Sequence, residues 1–253
     1  ITSITHPHFT EQVPEHGFDP VGNLLELTTN NIKREFSYDW LSQLIAEPEH
    51  SYQYDSLYNR LKKDTTTYEL NSLHAVTAIN DTSITYDKRG NRIGDPHATY
   101  RYDALNRLIE VQTKTGSYHY TYDAFNRRLS KQTDATTEYY LWAQENEIGA
   151  LDESKNITQL RILAEGLGAE IGASIALELY GTTYIPLHDR QGSITTLLEI
   201  NGAPVEHYSY DAFGIETTPE NPTSPWRFSS KRIDPETGFV YFGQRYYDPC
   251  LGK

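Results

Sequence analysis

The chain has 253 residues, a formal net charge of −13, 20 tyrosines, one cysteine and no methionine. The negative charge argues against nucleic acid as a partner and against docking on anionic membranes, because both need a basic surface. The single cysteine excludes an internal disulfide, a zinc finger and an iron–sulfur site, and no apolar run approaches the roughly 20 residues of a membrane span. Because the chain begins at Ile1 and contains no methionine, we expect an excised or processed segment.

Aromatic–aspartate pairs recur along the chain. The gaps between successive aromatic residues are 20, 16, 32, 16 and 20 residues, followed by one of 88. Since 32 is twice 16, we expect a degenerate copy near Tyr68-Glu69. We interpret Leu141-Trp142 and His188-Asp189, in the long gap, as two eroded copies. The seven clear pairs are Phe18-Asp19, Tyr38-Asp39, Tyr54-Asp55, Tyr86-Asp87, Tyr102-Asp103, Tyr122-Asp123 and Tyr210-Asp211.

Each pair opens a pattern that is typical of a tight turn. In most copies the residue three places after the aspartate is Gly or Asn, which tolerate a positive φ. Aspartate first and glycine fourth suit a type I turn, and the carboxylate can accept a backbone N–H two residues on. A left-handed fourth residue then forms the bulge that matches strand twist. The predicted turn residues are Asp19, Gly22, Asp39, Asp55, Asp87, Gly90, Asp103, Asn106, Asp123, Asn126, Asp189, Gly192, Asp211 and Gly214.

The aromatic residues are expected to end strands. Tyr118, Tyr120 and Tyr122 alternate, which places them on one face of a strand. The apolar residues from Ile171 to Leu179 also alternate, so their period of 2 favours a strand over a helix. A repeat of 16 to 20 residues fits two strands of about 5–6 residues and two turns, so each repeat is predicted to be a hairpin. The predicted structural aromatics are Tyr38, Tyr54, Tyr86, Tyr102, Tyr122 and Tyr210.

Lone hairpins are marginal in water, so the copies must pair edge to edge, and strand twist makes a long strip coil. The predicted fold is therefore all-β, an array of antiparallel β-hairpin repeats in a curved or spirally wound sheet. Near the C-terminus, Asp234 and Asp248 are each followed by proline and, four places on, by Gly238 and Gly252. This spacing predicts two further turns.

Two motifs resemble a known family. Tyr-Asp-Ala-Leu-Asn-Arg-Leu at 102–108 and Tyr-Asp-Lys-Arg-Gly-Asn-Arg at 86–92 resemble the YD repeats of Rhs proteins. Arg-Phe at 227–228, Asp-Pro-Glu-Thr-Gly-Phe at 234–239 and Arg-Tyr-Tyr-Asp-Pro at 245–249 resemble the Rhs repeat-associated core. The resemblance implies a β-strip wound into a hollow shell, as in Rhs toxins, insecticidal toxin complex C subunits and teneurins. We expect a hairpin array over residues 1–216, degenerate between 141 and 187, and a core segment over 217–253 that continues the sheet.

The resemblance also implies a function. Bacterial shells of this kind enclose a C-terminal toxic polypeptide, which an aspartyl site beyond the core signature cuts loose. The chain ends at Gly252-Lys253, before such a site, so we expect no catalytic residue, no cofactor and no metal. The leading hypothesis is a non-catalytic scaffold. Its expected partners are an enclosed toxin or effector polypeptide of the same parent protein and other segments of the shell. By resemblance the protein is expected to be secreted or associated with the cell surface.

Two other functions stay open. A cell-surface or carbohydrate-binding module would use the tyrosine faces, since aromatic rings stack on sugars. An autoprocessing aspartyl protease would use Asp234 or Asp248, but needs a second carboxylate that shares the proton. His6 and His8 lack a third metal ligand at a sensible spacing, and Cys250 has no histidine near it in sequence. The cargo, its delivery route and the oligomeric state are not readable from the chain.

Overall fold

The protein is an array of short antiparallel strands. A computed structural model describes residues 3–164, 171–217 and 219–253. Strands make up 52% of the protein, and no α-helix occurs in these ranges, only a 3-10 turn at Phe228–Ser230. The prediction of an all-β array of antiparallel hairpins is confirmed. The chain divides into two compact units, Ile1–Pro96 and His97–Lys253.

The first unit contains thirteen strands within its described residues, and their pairing follows the chain. A four-stranded sheet consists of β1 (Ser3–His6), β2 (Phe9–Gln12), β3 (Glu26–Thr29) and β4 (Ile32–Glu35). A seven-stranded sheet consists of β5 (Ser37–Tyr38), β6 (Leu44–Glu47), β7 (His50–Tyr54), β8 (Arg60–Lys63), β9 (Thr66–Leu70), β10 (Val76–Ile79) and β11 (Thr82–Ser83). A last hairpin pairs β12 (Thr85–Tyr86) with β13 (Arg92–Gly94).

In the second unit, a longer run of strands also pairs in chain order. The strands of this run are β14 (Ala98–Tyr102), β15 (Leu108–Thr113), β16 (Ser117–Tyr122), β17 (Arg128–Gln132), β18 (Thr137–Ala143), β19 (Asn146–Leu151), β20 (Ile157–Leu163), β21 (Ser174–Leu179), β22 (Thr182–His188), β23 (Ile194–Glu199) and β24 (Pro204–His207). A short hairpin follows, made of β25 (Ser209–Tyr210) and β26 (Glu216–Thr217).

The end of the chain forms a sheet of its own. Strands β27 (Arg232–Asp234), β28 (Phe239–Tyr241) and β29 (Tyr246–Tyr247) pair in that order. From the sequence, this segment is predicted to continue the preceding sheet. Instead, among the described strands, these three pair only with one another, and an irregular stretch at 219–225 lies between them and β26. The domain boundary at 216/217 stays a prediction.

Buried tyrosines supply much of the core. They stand two residues before the strand-ending aromatic position, so alternation puts them on the same face of the strand. Tyr118, Tyr120 and Tyr122 belong to one cluster, which confirms their expected common face. Phe239 of β28 packs in the same cluster, with its ring 5.7 Å from that of Tyr100. The buried tyrosines at this position are Tyr52, Tyr68, Tyr100, Tyr120, Tyr140 and Tyr208.

The apolar run from Ile171 to Leu179 follows its expected alternation only in part. Residues Ser174–Leu179 form strand β21, so the preference for a strand over a helix is confirmed. Leu177 and Leu179 are buried, but Ile175 is 56% exposed. The register of β21 against β20 shifts at Ser174, and such a bulge turns the residues on its two sides to different faces.

Candidate functional site: the turn edge and the buried arginine cluster

An aspartate closes the turn of eight recognised repeats, whereas the Leu141-Trp142 copy has Ala143 at this place. Asp103 shows the geometry. Its Oδ1 accepts the N–H of Leu105 at 2.9 Å and that of Arg107 at 3.0 Å. Its carbonyl accepts the N–H of Asn106 at 3.1 Å, and its own N–H donates to the carbonyl of Arg107 at 3.0 Å. Asn106 has φ +60°, and the strand register shifts at Tyr102. The result is a type I turn followed by a left-handed bulge residue.

The other recognised turns repeat these bonds. In each, the aspartate Oδ1 accepts the N–H groups two and four residues on; the aspartates are Asp19, Asp39, Asp55, Asp87, Asp123, Asp189 and Asp211. The fourth residue is left-handed at Gly22, Gly90, Asn126, Gly192 and Gly214. It is left-handed also at Ser42 and Tyr58, which lack the expected Gly or Asn. The hydrogen bonds of the turn therefore impose this conformation even where the residue disfavours it.

The fifth residue of the turn holds the second carboxylate oxygen. Arg107 Nε donates to Asp103 Oδ2 and Arg127 Nε to Asp123 Oδ2, both at 2.6 Å. The side-chain amides of the asparagines that follow Asp19, Asp55, Asp87 and Asp152 by four residues do the same. Burial alone raises the pKa of Asp103, but the bonds from Arg107 outweigh it and hold that pKa below its usual value.

The same fifth residue also reaches the next turn. Arg107 Nη1 donates to the carbonyl of Asp123 at 3.0 Å, and Arg127 Nη1 to that of Gln144 at 2.9 Å. In the first unit, Gln43 Nε2 donates to the carbonyl of Asp55 at 2.9 Å. Successive turns are thus joined side by side along one edge of the strands. We call this row of turns the turn edge.

The strand-ending aromatic residues join each repeat to the one before it. The hydroxyl of Tyr122 donates to the carbonyl of Leu108 and that of Tyr210 to Ile194, at 2.7 and 2.6 Å. Trp142 Nε1 makes the equivalent bond to Arg128 at 2.8 Å. Each acceptor follows the aspartate of an earlier turn by five residues. The six predicted structural tyrosines, Tyr38, Tyr54, Tyr86, Tyr102, Tyr122 and Tyr210, are each the last residue of a strand.

One predicted repeat lies at a different position in the structure, and two repeats occur that were not predicted. The copy expected near Tyr68-Glu69 lies two residues later, where Asn71 Oδ1 accepts the N–H groups of Leu73 and Ala75. Asp152 and Glu199 open further turns, with Lys155 and Gly202 left-handed at the fourth place. The tyrosine–aspartate pattern does not include these copies, because the residue before the turn-opening position is leucine, at Leu70, Leu151 and Leu198.

The third residue of the turn is apolar and exposed in several repeats. Exposure ranges from 65 to 82% for the five largest examples. Burying such side chains against another surface contributes about 25 cal/mol per Å² of apolar area. The turn edge of each unit therefore carries unburied apolar residues at a regular spacing. They are Val21, Leu57 and Leu73 in the first unit and Leu105 and Phe125 in the second.

Asp234 differs from the repeat aspartates. Its backbone opens a turn, since its carbonyl accepts the N–H of Gly238 at 2.8 Å and Gly238 has φ +72°. Its carboxylate, however, is fully buried and pairs with Arg128, with N–O distances of 2.5 and 3.1 Å. Burial by itself raises the pKa of Asp234, but the positive charges of Arg128 and Lys131 prevail and lower it.

Aromatic rings surround the buried guanidinium of Arg128. Its Cζ lies 4.4 Å from the ring centre of Tyr241 and 4.5 Å from that of Tyr140, with Tyr120 and Tyr246 within 6 Å. Cations are attracted to ring faces, most strongly where water is excluded. This cage holds the C-terminal three-stranded sheet against β16–β18. Arg128 could not be predicted from the sequence, because its partner is 106 residues away.

A second buried pair lies beside the first. Arg232 Nε donates to Glu147 Oε1 at 2.6 Å, and the Arg232 guanidinium lies 4.9 Å from the ring centre of Trp226. Arg161 Nη1 donates to the carbonyl of Ser230 at 2.7 Å. We call Arg128, Arg161 and Arg232 the buried arginine cluster. It fixes residues 226–241 to the strands β17–β20.

The remaining candidates have mainly local contacts. Asp248 accepts the N–H of Gly252 through its carbonyl and that of Cys250 through Oδ1, and Gly252 has φ +68°. The His8 N–H donates to His6 Nδ1 at 3.2 Å. No group of three metal-ligating side chains lies within the described residues. No helix there is long and apolar enough to cross a membrane.

Comparisons with known proteins agree with the motif resemblance. Residues 15–253 match the model of the Teneurin YD-shell family. A tRNA nuclease WapA of Bacillus subtilis is 28% identical over 238 residues, which cover 85% of this chain and 10% of that protein. The tRNA3(Ser)-specific nuclease WapA of Bacillus spizizenii is 27% identical over the same shares. The chain thus spans about a tenth of the length of these relatives.

Solved structures share the fold at low identity. The TcdB2-TccC3 structure gives a TM-score of 0.69 at 16% identity, over 99% of this chain and 16% of that one. The Tc holotoxin pore of Photorhabdus luminescens gives 0.67 at 17% identity, over 96% and 15%. The antiparallel sheets of this chain therefore have the architecture found in part of those toxin proteins.

Proposed function

Because the chain belongs to the Teneurin YD-shell family, we propose that it is a wall segment of a hollow shell that encloses a toxin or effector polypeptide of the same parent protein. The unbroken series of strand pairs and turn-to-turn hydrogen bonds supports this role most directly. Within each unit, strands pair in chain order and each turn is bonded to its neighbour. Such a strip can be lengthened by adding repeats, as a wall requires.

The turn edge is where we propose that other segments of the shell dock. Its apolar residues are regularly spaced and exposed, as at Leu57, Leu105 and Phe125. A second turn edge would present the same kind of residue and bury both rows. The proposed location is extracellular, in line with the toxin complexes whose fold the chain shares.

We propose that the chain itself is not catalytic. An aspartyl protease shares one proton between two carboxylates, which raises the pKa of one of them. Asp234 instead pairs with Arg128, and its pKa is lowered. The test is incubation of the purified protein beside Asp234→Asn and Asp248→Asn variants. Slow cleavage of the wild type that either variant abolishes would overturn the non-catalytic assignment.

Limited proteolysis of the intact parent protein tests encapsulation. An Asn106→Val/Asn126→Val variant strains two left-handed turn residues and loosens the wall. The matched control is Asn106→Gly/Asn126→Gly, because glycine accepts a positive φ. We expect the enclosed polypeptide to resist trypsin in the wild type and in the glycine control, and to be digested in the valine variant. Digestion of the polypeptide in the wild type to the same extent as in the valine variant would contradict encapsulation.

A surface-binding module is the second candidate, and exposed aromatic residues favour it. The tyrosines of the core are buried, so they cannot stack on a ligand. Trp40 and Phe125, however, are 87 and 67% exposed. A glycan array probed with the wild type and with a Trp40→Ala/Phe125→Ala variant separates the two functions. Binding that depends on these rings would favour the module, and no binding would favour the wall.

A further inference from the structure

A cavity of about 580 Å³ opens in the second unit, beside the buried arginine cluster. The hairpin of β18 and β19 forms one side, and the loop between β28 and β29 forms another. Three cationic residues line it, Arg127, Lys231 and Arg245, against one anionic residue, Glu145. This balance is opposite to that of the whole chain, whose net charge is −13.

The three cations are placed differently. The guanidinium of Arg127 is held by Asp123 and by the carbonyl of Gln144, so its position is fixed. Arg245 is exposed and makes no ion pair with any residue of the described ranges. Burial and the nearby charge of Arg161 lower the pKa of Lys231 to about 8. An anion in the cavity would gain the attraction of Arg245, whose charge no ion pair within the described residues uses.

Two aromatic rings complete the lining. Trp142 is anchored by its hydrogen bond to the carbonyl of Arg128, and its ring meets Tyr241 edge-on with the centroids 6.3 Å apart. The ring centre of Phe242 lies 5.7 Å from Lys231 Nζ. Rigid rings beside a cation suit a ligand that has a flat apolar part next to its charge.

We propose that this cavity binds a carboxylate that is attached to an aromatic group. The carboxylate would lie between Lys231 and Arg245, with the aromatic group against Trp142 and Phe242. The volume falls within the range of small-ligand sites, roughly 300–1,000 Å³. Two sources share this chemistry, a free aromatic acid and an acidic residue next to an aromatic one in a polypeptide. The site adjoins the turn edge at Arg127, and it does not depend on the proposed enclosure.

Titration followed by ¹H–¹⁵N NMR tests the proposal. The chain has three tryptophans and so three indole N–H signals, of which that of Trp142 reports on the cavity. The probe is N-acetylphenylalanine, and the control ligand is its neutral amide. From its size we expect a Kd of about 1 mM for the acid, and binding about tenfold weaker for the amide. Acetyl-Asp-Phe-amide distinguishes the polypeptide source, since its only carboxylate is a side chain.

Three variants and one control locate the binding. Lys231→Met and Arg245→Gln should each weaken binding of the acid about tenfold. Glu145→Gln should strengthen it about twofold, because it removes the opposing charge at the rim. Lys114→Met removes an exposed lysine outside the cavity and should leave the Kd unchanged. Arg245 is exposed, so its replacement leaves the fold intact even if Lys231→Met does not.

Each outcome has a definite consequence. Tighter binding of N-acetylphenylalanine than of acetyl-Asp-Phe-amide would identify a free acid, and the reverse would identify a polypeptide segment. Equal binding of the acid and its amide would overturn the proposal. So would a shift of the Trp142 signal that Arg245→Gln leaves unchanged, or no shift with either carboxylate probe.

Discussion

Replacement of Asp234 by asparagine tests the contact that holds the C-terminal sheet in place. The pair with Arg128 is bidentate and both side chains are fully buried. Asp234→Asn leaves the guanidinium charged inside a ring of tyrosines. Removing one partner of a buried ion pair costs about 3–5 kcal/mol. For a unit of this size, that loss lowers Tm by about 10 °C.

A double-mutant cycle separates the ion pair from packing. Arg128→Met alone should also cost about 3–5 kcal/mol, because the buried Asp234 then keeps only the longer contact with Lys131, at 3.8 Å. The double variant Arg128→Met/Asp234→Asn removes both charges and should cost clearly less than the sum of the two single losses. Urea unfolding monitored by circular dichroism gives the free energy of each variant. Losses in the two single variants that simply add in the double variant would refute a direct coupling.

Three further predictions concern single side chains. Asn106→Val should lower the free energy of unfolding by about 1–3 kcal/mol, since Asn106 has φ +60°, whereas Asn106→Gly should be nearly neutral; urea unfolding of both compares them. Asp103→Asn should destabilise the protein at pH 7, and this effect should shrink as the pH falls through the lowered pKa of Asp103, below the usual aspartate value of about 4. The reason is that a carboxylate with a lowered pKa contributes stability above that value and loses it as the pH falls, and thermal melts from pH 3 to 7 measure this. Lys231→Met should raise Tm more at pH 7 than at pH 10. Below its pKa of about 8, the buried charge of Lys231 destabilises the folded state, and above that pKa the side chain is neutral when folded.

The repeat could be predicted because its turns are local. Asp103 and Asn106 lie three residues apart, and the carboxylate bonds to the backbone of its own turn. The residues that form the turn are therefore close neighbours in the sequence, so a short motif predicts it. Asn71 carries out the same role without a carboxylate, and it follows Leu70. The tyrosine–aspartate motif therefore does not identify it, although the spacing of 16 residues predicts a repeat two positions earlier, near Tyr68-Glu69.

The hydrogen bond from the fifth turn residue to the aspartate Oδ2 could have been predicted from the sequence. The residues four places after Asp55, Asp87, Asp103 and Asp123 are Asn59, Asn91, Arg107 and Arg127, all with side-chain N–H donors. Their bonds to the aspartate Oδ2 follow from that pattern. Their reach to the next turn does not, because it requires knowing which turns are neighbours.

The buried arginine cluster lies beyond sequence reasoning. Proline and glycine after Asp234 predict its turn correctly at the level of the backbone. They say nothing of its carboxylate, which turns inward to Arg128 on a distant strand. Long-range pairs of this kind depend on how two sheets pack, and no local pattern encodes that.

Small-angle scattering of the intact parent protein tests the central claim most directly. A wall built from this strip predicts a hollow particle, with a scattering minimum and a distance distribution skewed towards large separations. A parent protein whose gene lacks the enclosed polypeptide should show a deeper minimum without smaller outer dimensions. The profile of a solid globule, or a particle that shrinks when the polypeptide is removed, would contradict the account.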